Sequence, residues 1–374
     1  MTAAIISTAS DVRQGLLQPQ AVLGKFRYVA AEHTPQPSPH NFHLPAISEF
    51  GDERLLPLHD MRPLPTVEEL PSAESHAQLG VHGFTAIRHP TVLHSAPFGH
   101  SSWKDPGLLR EYYIPDTIEM MKQVTGCKTV ITEGLLLRSA TWTESDALAT
   151  HGGHGDQNRS ADEEEKPQEK ELSDLETGFP QFIGFNATQG GASPAPKIHL
   201  DYAPDGARKH IRYYHPELAA AAADIIRSED CILAAGKSLK ECYHDSDGPR
   251  WALFSIWRPI KSVKRDPLAL GDQRTFRGDD YVPVTVRTPY LGRPGVTETH
   301  DAESYLARYS EGHKWHWVAG QQPEEVLVIG LFDSHAEKDG GKASGGTLHS
   351  SVDLPGTEDE EARESIELRC LCIW

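Results

Sequence analysis

The sequence predicts a mainly β fold with flanking helices, built on a double-stranded β-helix, the jelly-roll core of cupin-like proteins. Three observations carry that expectation. Short apolar or alternating segments recur through the second half of the chain, among them Trp251–Trp257, Tyr281–Arg287 and Glu325–Phe332. Few segments carry a helical period. The residues best suited to bind a metal are divided between an early His-x-Asp, His199-Leu200-Asp201, and a late histidine, as a barrel with one ligand-binding mouth allows.

In chain order, residues 1–75 are rich in proline and weakly periodic, which predicts an extended N-terminal arm with short strands packed on the core. Residues 76–374 form the second unit, a single barrel domain. Within it, a helix is expected over Asp105–Thr125, interrupted at Pro115 and closed by Gly126 as its C-cap. Lys128–Leu137 reads as a buried strand. Residues 151–176 combine glycines with the run Asp162-Glu163-Glu164-Glu165, a composition that predicts a disordered acidic insertion. Ala203-Pro204-Asp205-Gly206 reads as a turn, and Pro216–Asp230 as a helix that starts at its proline. The remaining strands are Trp251–Trp257, Tyr281–Arg287, Lys314–Val318, Glu325–Phe332, Thr347–Val352 and Ser365–Trp374. Pro283 puts the second of these at a sheet edge.

Charge and composition exclude several classes. The net charge of −18 argues against nucleic-acid or anionic-membrane partners. No apolar run is long enough to span a bilayer, and the first residues lack the pattern of a signal peptide. The five cysteines, Cys127, Cys231, Cys242, Cys370 and Cys372, are odd in number and follow no zinc spacing. A reducing, cytoplasmic location is expected.

His199-Leu200-Asp201, then His349, then Arg363-x-Ser365, is an order with a chemical reading. Two imidazoles and one carboxylate take one face of Fe(II) and leave three positions for a cosubstrate and O2. A guanidinium forks onto the far carboxylate of 2-oxoglutarate better than an ammonium does. A serine two residues along an extended chain lies on the same face and adds a hydroxyl. For the distal histidine, His349 stands at the right distance upstream of the arginine, with His335 as the substitute. His313 and His316 read as half-exposed strand histidines beside Trp315 and Trp317. Arg369, on the same face as Arg363 and Ser365, is the alternative cosubstrate anchor. Arg258 has two readings of equal weight, a second anion anchor in the iron-side pocket or an arginine stacked on tryptophan.

Several stretches together resemble a fungal and bacterial family of hydroxylase/desaturase proteins, related to the gibberellin desaturase and the cephamycin methoxylase small component. The carriers are Tyr112-Tyr113, His199-Leu200-Asp201-Tyr202, Trp257-Arg258-Pro259-Ile260 with Asp266-Pro267-Leu268-Ala269-Leu270, Trp315-His316-Trp317, Phe332-Asp333-Ser334 and Arg363-Glu364-Ser365-Ile366-Glu367-Leu368-Arg369. The resemblance covers most of residues 78–374. It implies Fe(II)/2-oxoglutarate-dependent hydroxylation, desaturation or ring formation on a specialised metabolite. It also implies iron ligation by His199, Asp201 and His349, and cosubstrate binding by Arg363 and Ser365.

Two other classes compete with that reading. A non-catalytic cupin-like metal-binding protein, or an O2-dependent iron oxygenase without 2-oxoglutarate, would leave Arg363 and Ser365 unexplained. The substrate class stays open among amino acids, terpenoids and polyketides, with Tyr112, Tyr113, Arg138, Tyr202 and Arg258 as candidates for the pocket wall.

Overall fold

The computed structural model describes residues 21–70, 78–140, 178–185, 191–244, 248–339 and 345–374. The acidic insertion expected at 151–176 lies outside the described residues. Among the described residues fourteen strands follow in chain order: β1 (Leu23–Val29), β2 (Gly51–Asp60), β3 (Phe84–Arg88), β4 (Thr129–Arg138), β5 (Gln181–Ile183), β6 (His199–Leu200), β7 (Trp251–Pro259), β8 (Leu268–Gly271), β9 (Tyr281–Pro289), β10 (Thr299–Ala307), β11 (Trp315–Trp317), β12 (Glu325–Asp333), β13 (His349–Ser351) and β14 (Ser365–Ile373). They form two sheets, one ordered β1-β2-β11-β8-β13-β6-β10-β9 and the other β3-β12-β7-β14-β4-β5. The jelly-roll expectation is met.

Strand parity explains the layers. Between the sheets, Trp251, Leu253 and Trp257 of β7 pack with Leu327, Ile329 and Leu331 of β12 and with Leu268 and Leu270 of β8. The alternate residues of the same strands, Ala252, Phe254 and Ile256, with Ile366, Leu368, Cys370 and Cys372 of β14, face the other way. There they are covered by the helix Ile114–Thr125 through Ile114, Met120 and Met121. A third cluster, including Phe26, Tyr28, Leu200, Ala269, Trp315 and Leu348, lies behind the eight-stranded sheet. Residues 199, 268, 270 and 349 therefore point inward, while their neighbours 200, 269 and 348 point outward.

The elements differ from expectation at identifiable places. Pro115 does not interrupt its helix. A π-helical turn, Leu109–Tyr113, precedes it, and Pro115 sits in the first turn of Ile114–Thr125, where its missing N–H costs nothing. Gly126 does close that helix, at φ 72°. The turn expected at 203–206 is instead the start of a helix, Pro204–Tyr213, with Pro204 in its first turn. The single helix expected over Pro216–Asp230 is two, Pro216–Ala221 and Ala223–Ala234, broken at Ala222. Pro283 does lie in an edge strand, since β9 ends the eight-stranded order.

Candidate metal centre

β6, a strand of only two residues, places His199 between two neighbours. It pairs with Leu306 of β10 on one side and with His349 of β13 on the other. The imidazoles meet across that pairing with ring centroids 4.4 Å apart. The chain bends after Leu200 and brings Asp201 back towards both rings. Its Oδ1 lies 3.5 Å from His199 Nε2 and 3.8 Å from His349 Nε2. One nitrogen or oxygen from each of the three residues falls within 4.8 Å of the others. Among the described residues this is the only such group of three or more.

Both histidines are set by the same local bond. His199 Nδ1 donates to the carbonyl of Lys197 at 2.6 Å, and His349 Nδ1 donates to the carbonyl of Thr347 at 2.9 Å. Each Nδ1 is thereby protonated and each Nε2 lone pair is turned towards Asp201, the tautomer a metal requires. Burial, with His349 beside it, pushes His199 down to about 4. Burial opposes the charge of Asp201, but Arg369 and the two imidazoles outweigh it and hold the carboxyl at about 2. At neutral pH His199 is therefore a neutral imidazole and Asp201 a carboxylate. Ser304 Oγ donates to the Asp201 carbonyl at 2.7 Å and pins the bend.

A cavity runs from the two histidines between the sheets, lined among others by Arg138, Ser255, Trp257, Ser351, Arg363 and Glu367. Arg363 is 2% exposed. Its Nη1 donates to the Asp266 carbonyl at 2.6 Å and to Ser351 Oγ at 3.3 Å, and its guanidinium carbon lies 5.2 Å from the Trp257 ring. Nε is left without a hydrogen-bond partner. No carboxylate among the described residues pairs with it. Burial, reinforced by nearby Arg138, lowers Arg363 to about 9. A buried cation without a counter-ion is costly, and a bound carboxylate would relieve it. Ser365 is fully buried, with its hydroxyl also unpartnered.

The other candidates fall elsewhere. Arg258 follows Trp257 in β7 and so takes the opposite face of the sheet. It lies 5.8 Å from the Trp103 ring and 5.6 Å from the Tyr113 ring, with Nη1 donating to the Pro323 carbonyl at 2.9 Å. It is a packed aromatic-stacked arginine and does not join the cavity. His335 lies in a short 3-10 turn, Ser334–Asp339, and is not in the cluster. The side chain of His313 is fully buried, not half-exposed, between Tyr28 and Asp280. Arg369 does not stand with Arg363: it pairs with Asp201 Oδ2 at 2.8 Å. Of the residues suggested for the pocket wall, Arg138 lines the cavity. Tyr202 instead packs between the sheets, its hydroxyl 3.3 Å from His210 Nε2. Glu367, which lines the cavity beside Arg138, was not singled out by the sequence. Its place two residues from Ser365 and two from Arg369 was the available signal.

Comparison with known proteins adds independent findings. A family model described as "Oxidoreductase/YMDC permease-like domain" matches residues 58–233 and 233–373. No helix among the described residues is long and apolar enough to cross a membrane. The chain is 40% identical to "Oxidoreductase chry3" of Gibberella zeae, over 94% of this chain and 98% of that one. It is 34% identical to the "Gibberellin cluster GA4 desaturase" of Gibberella fujikuroi, over 82% of this chain and 86% of the other. Among solved structures, the iron and alpha-ketoglutarate-dependent endoperoxidase NvfI superposes with a TM-score of 0.57 at 21% identity, over 94% of this chain and 97% of that one. That last likeness is one of fold.

Proposed function

Because the chain belongs to the hydroxylase/desaturase family of Fe(II)/2-oxoglutarate-dependent oxygenases, we propose that His199, Asp201 and His349 hold its iron and that Arg363 and Ser365 hold the far carboxylate of its cosubstrate. The enzyme is a dioxygenase that uses Fe(II), 2-oxoglutarate and O2 and acts on a small molecule of fungal secondary metabolism. The single observation that carries the assignment of residues is the pairing of two features in one cavity. Two Nε2 atoms and a carboxylate oxygen converge at one end, and a buried guanidinium without a counter-ion stands in the wall.

The donor set fits the metal. Two imidazoles and one carboxylate suit Fe(II) and leave positions open for a chelating 2-oxo acid and for O2. When bound, the iron and its cosubstrate supply the oxidant for an unactivated C–H bond. The residues of the chain do the rest. Lys197 and Thr347 fix the imidazoles through their carbonyls. Arg363 and Ser365 give the cosubstrate one direction in the cavity, and Ser351 supports Arg363. Trp257, Leu268 and Ile329 close the cavity with apolar surface and keep water from it.

Two relatives are named for desaturation and for hydroxylation/desaturation. Their names support hydroxylation or desaturation of a specialised metabolite by this chain. The test needs no substrate. Purified protein is titrated without oxygen, first with Fe(II) and then with 2-oxoglutarate, and the visible charge-transfer band of the chelate is recorded. The band is expected in the wild type, absent in His349→Ala and weakened in Arg363→Ala. Iron bound without a band would remove 2-oxoglutarate from this cavity and overturn the assignment.

A further inference from the structure

Asp201 uses its two carboxylate oxygens differently. Oδ1 faces both imidazoles, at 3.5 and 3.8 Å. Oδ2 is turned the other way and lies 2.8 Å from Arg369 Nη2. The same Nη2 reaches Glu367 Oε1 at 3.3 Å. The second oxygen of Glu367, Oε2, lies 3.4 Å from Nε and Nη2 of Arg138, and Arg138 Nη1 is tied to the Ser193 carbonyl at 2.7 Å. Alternating charges thus run from the cavity wall to the carboxylate: Arg138, Glu367, Arg369, Asp201. The pleat of β14 makes this possible, because Glu367 and Arg369 are two residues apart and share a face.

A guanidinium on one oxygen of a carboxylate has two effects. It resists rotation of the carboxylate plane, since rotation would break the ion pair. It also draws negative charge from the oxygen that faces the imidazoles. Both imidazoles are already locked through Nδ1, so the carboxylate is the one group of the three with a second donor atom to offer.

We propose that Arg369 is a positioning residue that holds Asp201 as a one-oxygen metal ligand, with Glu367 orienting Arg369. This rests on the reading of His199, Asp201 and His349 as the iron ligands. A one-oxygen carboxylate leaves three positions on the metal. Freed from Arg369, Oδ2 can swing onto the metal and take one of them. The ion pair Arg369 makes therefore keeps open the position on which the reaction with O2 depends.

The experiment compares wild type, Arg369→Met, Arg369→Lys and Glu367→Gln, each loaded with Fe(II) and 2-oxoglutarate without oxygen. Three quantities are read: Fe(II) affinity, the wavelength of the charge-transfer band, and the paramagnetic signal given by added nitric oxide, a probe of the remaining open position. In Arg369→Met, iron is expected to bind at least as tightly as in wild type, because a positive charge beside it is gone. The band is expected to move to longer wavelength as the carboxylate becomes a stronger donor, and the nitric oxide signal to fall. Arg369→Lys should lie between the two, and Glu367→Gln should shift in the same direction by less. Weaker iron binding with an unmoved band would mean a merely structural role and overturn the proposal. So would wild-type values throughout. Should Arg369→Met not fold, the Lys and Gln variants decide on the same readouts, and no shift in either overturns it. Wild-type protein that binds iron without a band fails the underlying assignment and this inference with it. A normal wild-type band with unshifted variants fails this inference alone.

Discussion

His199 and His349 are register partners across β6 and β13, and each gives its Nδ1 proton to the carbonyl two residues before it. The arrangement makes the pair nearly symmetric, one imidazole from each strand, both aimed by main-chain acceptors that no side-chain substitution can remove. The two imidazoles are therefore built into the pairing of two short strands, and Asp201 joins them from the bend that follows β6.

It follows that His349→Ala abolishes stoichiometric Fe(II) binding while leaving the fold intact, and that His335→Ala leaves binding unchanged. Equilibrium dialysis against Fe(II) under argon, with far-ultraviolet circular dichroism as the control, checks both. Loss of iron in the His335 variant would return that residue to the site.

Arg363 gives the second expectation. A charged hydrogen-bonded partner is worth roughly 1.5–3 kcal/mol, so Arg363→Ala should raise the apparent KM for 2-oxoglutarate roughly 10- to 100-fold. Arg363→Lys should recover part of it, since the ammonium keeps the charge and loses the fork. The measurement is succinate release at varied 2-oxoglutarate. An unchanged KM would free Arg363 from the cosubstrate.

Glu229 gives a prediction about stability rather than chemistry. It is fully buried and receives Tyr243 Oη at 2.8 Å, Trp251 Nε1 at 3.2 Å and Arg208 Nε at 3.3 Å, so one carboxylate ties three helical segments to β7. Replacing it by alanine removes the acceptor of three buried donors at once, at a cost of about 3 kcal/mol or more. Urea unfolding of Glu229→Ala should show the lowered midpoint with iron binding preserved in the folded fraction.

The pH dependence has a definite sign at His316. Burial, with His59 next in effect, lowers it from 6.5 to about 4. As pH falls through 6.5 the unfolded chain takes up a proton that the folded chain refuses until about 4, so stability falls with pH across that window. The ring is packed near His59, His82 and Phe84, with Asp272 and Arg274 also in range. In His316→Gln the urea midpoint should drop less between pH 7.5 and 4.5 than in the wild type. An equal drop would assign the acid sensitivity to other groups.

Much of this was legible beforehand, for reasons particular to each segment. The strands at 251, 325 and 365 are strongly apolar or alternating, and tertiary packing follows from that pattern. The cluster at 199, 201 and 349 and the arginine at 363 could be read from order and spacing. Helix Pro204–Tyr213 was not, because proline followed by Asp-Gly is also turn chemistry, and only the close approach of Gly206 to the Glu303 backbone shows why a glycine belongs in that helix. β10, Thr299–Ala307, escaped because its sequence is mostly polar and its partners lie in β9 and β6. Arg258 could have been settled by parity, since it cannot share a face with Trp257. The ion pair from Arg369 to Asp201 could not, because nothing local states which loop a strand residue meets.

β14 serves two masters through its pleat. Glu367 lines the cavity and Arg369, on the same face, pairs with Asp201, while Ile366, Leu368, Cys370 and Cys372 belong to the packing under the helix. Point changes on the helix side are thus a route by which a lineage, or an engineer, can tune robustness and leave chemistry alone. Deleting a single residue within the strand is a different event. It exchanges the two faces at a stroke, sending charges into the hydrophobic layer and aliphatic groups towards Asp201, so that this segment tolerates a change of identity better than a change of length.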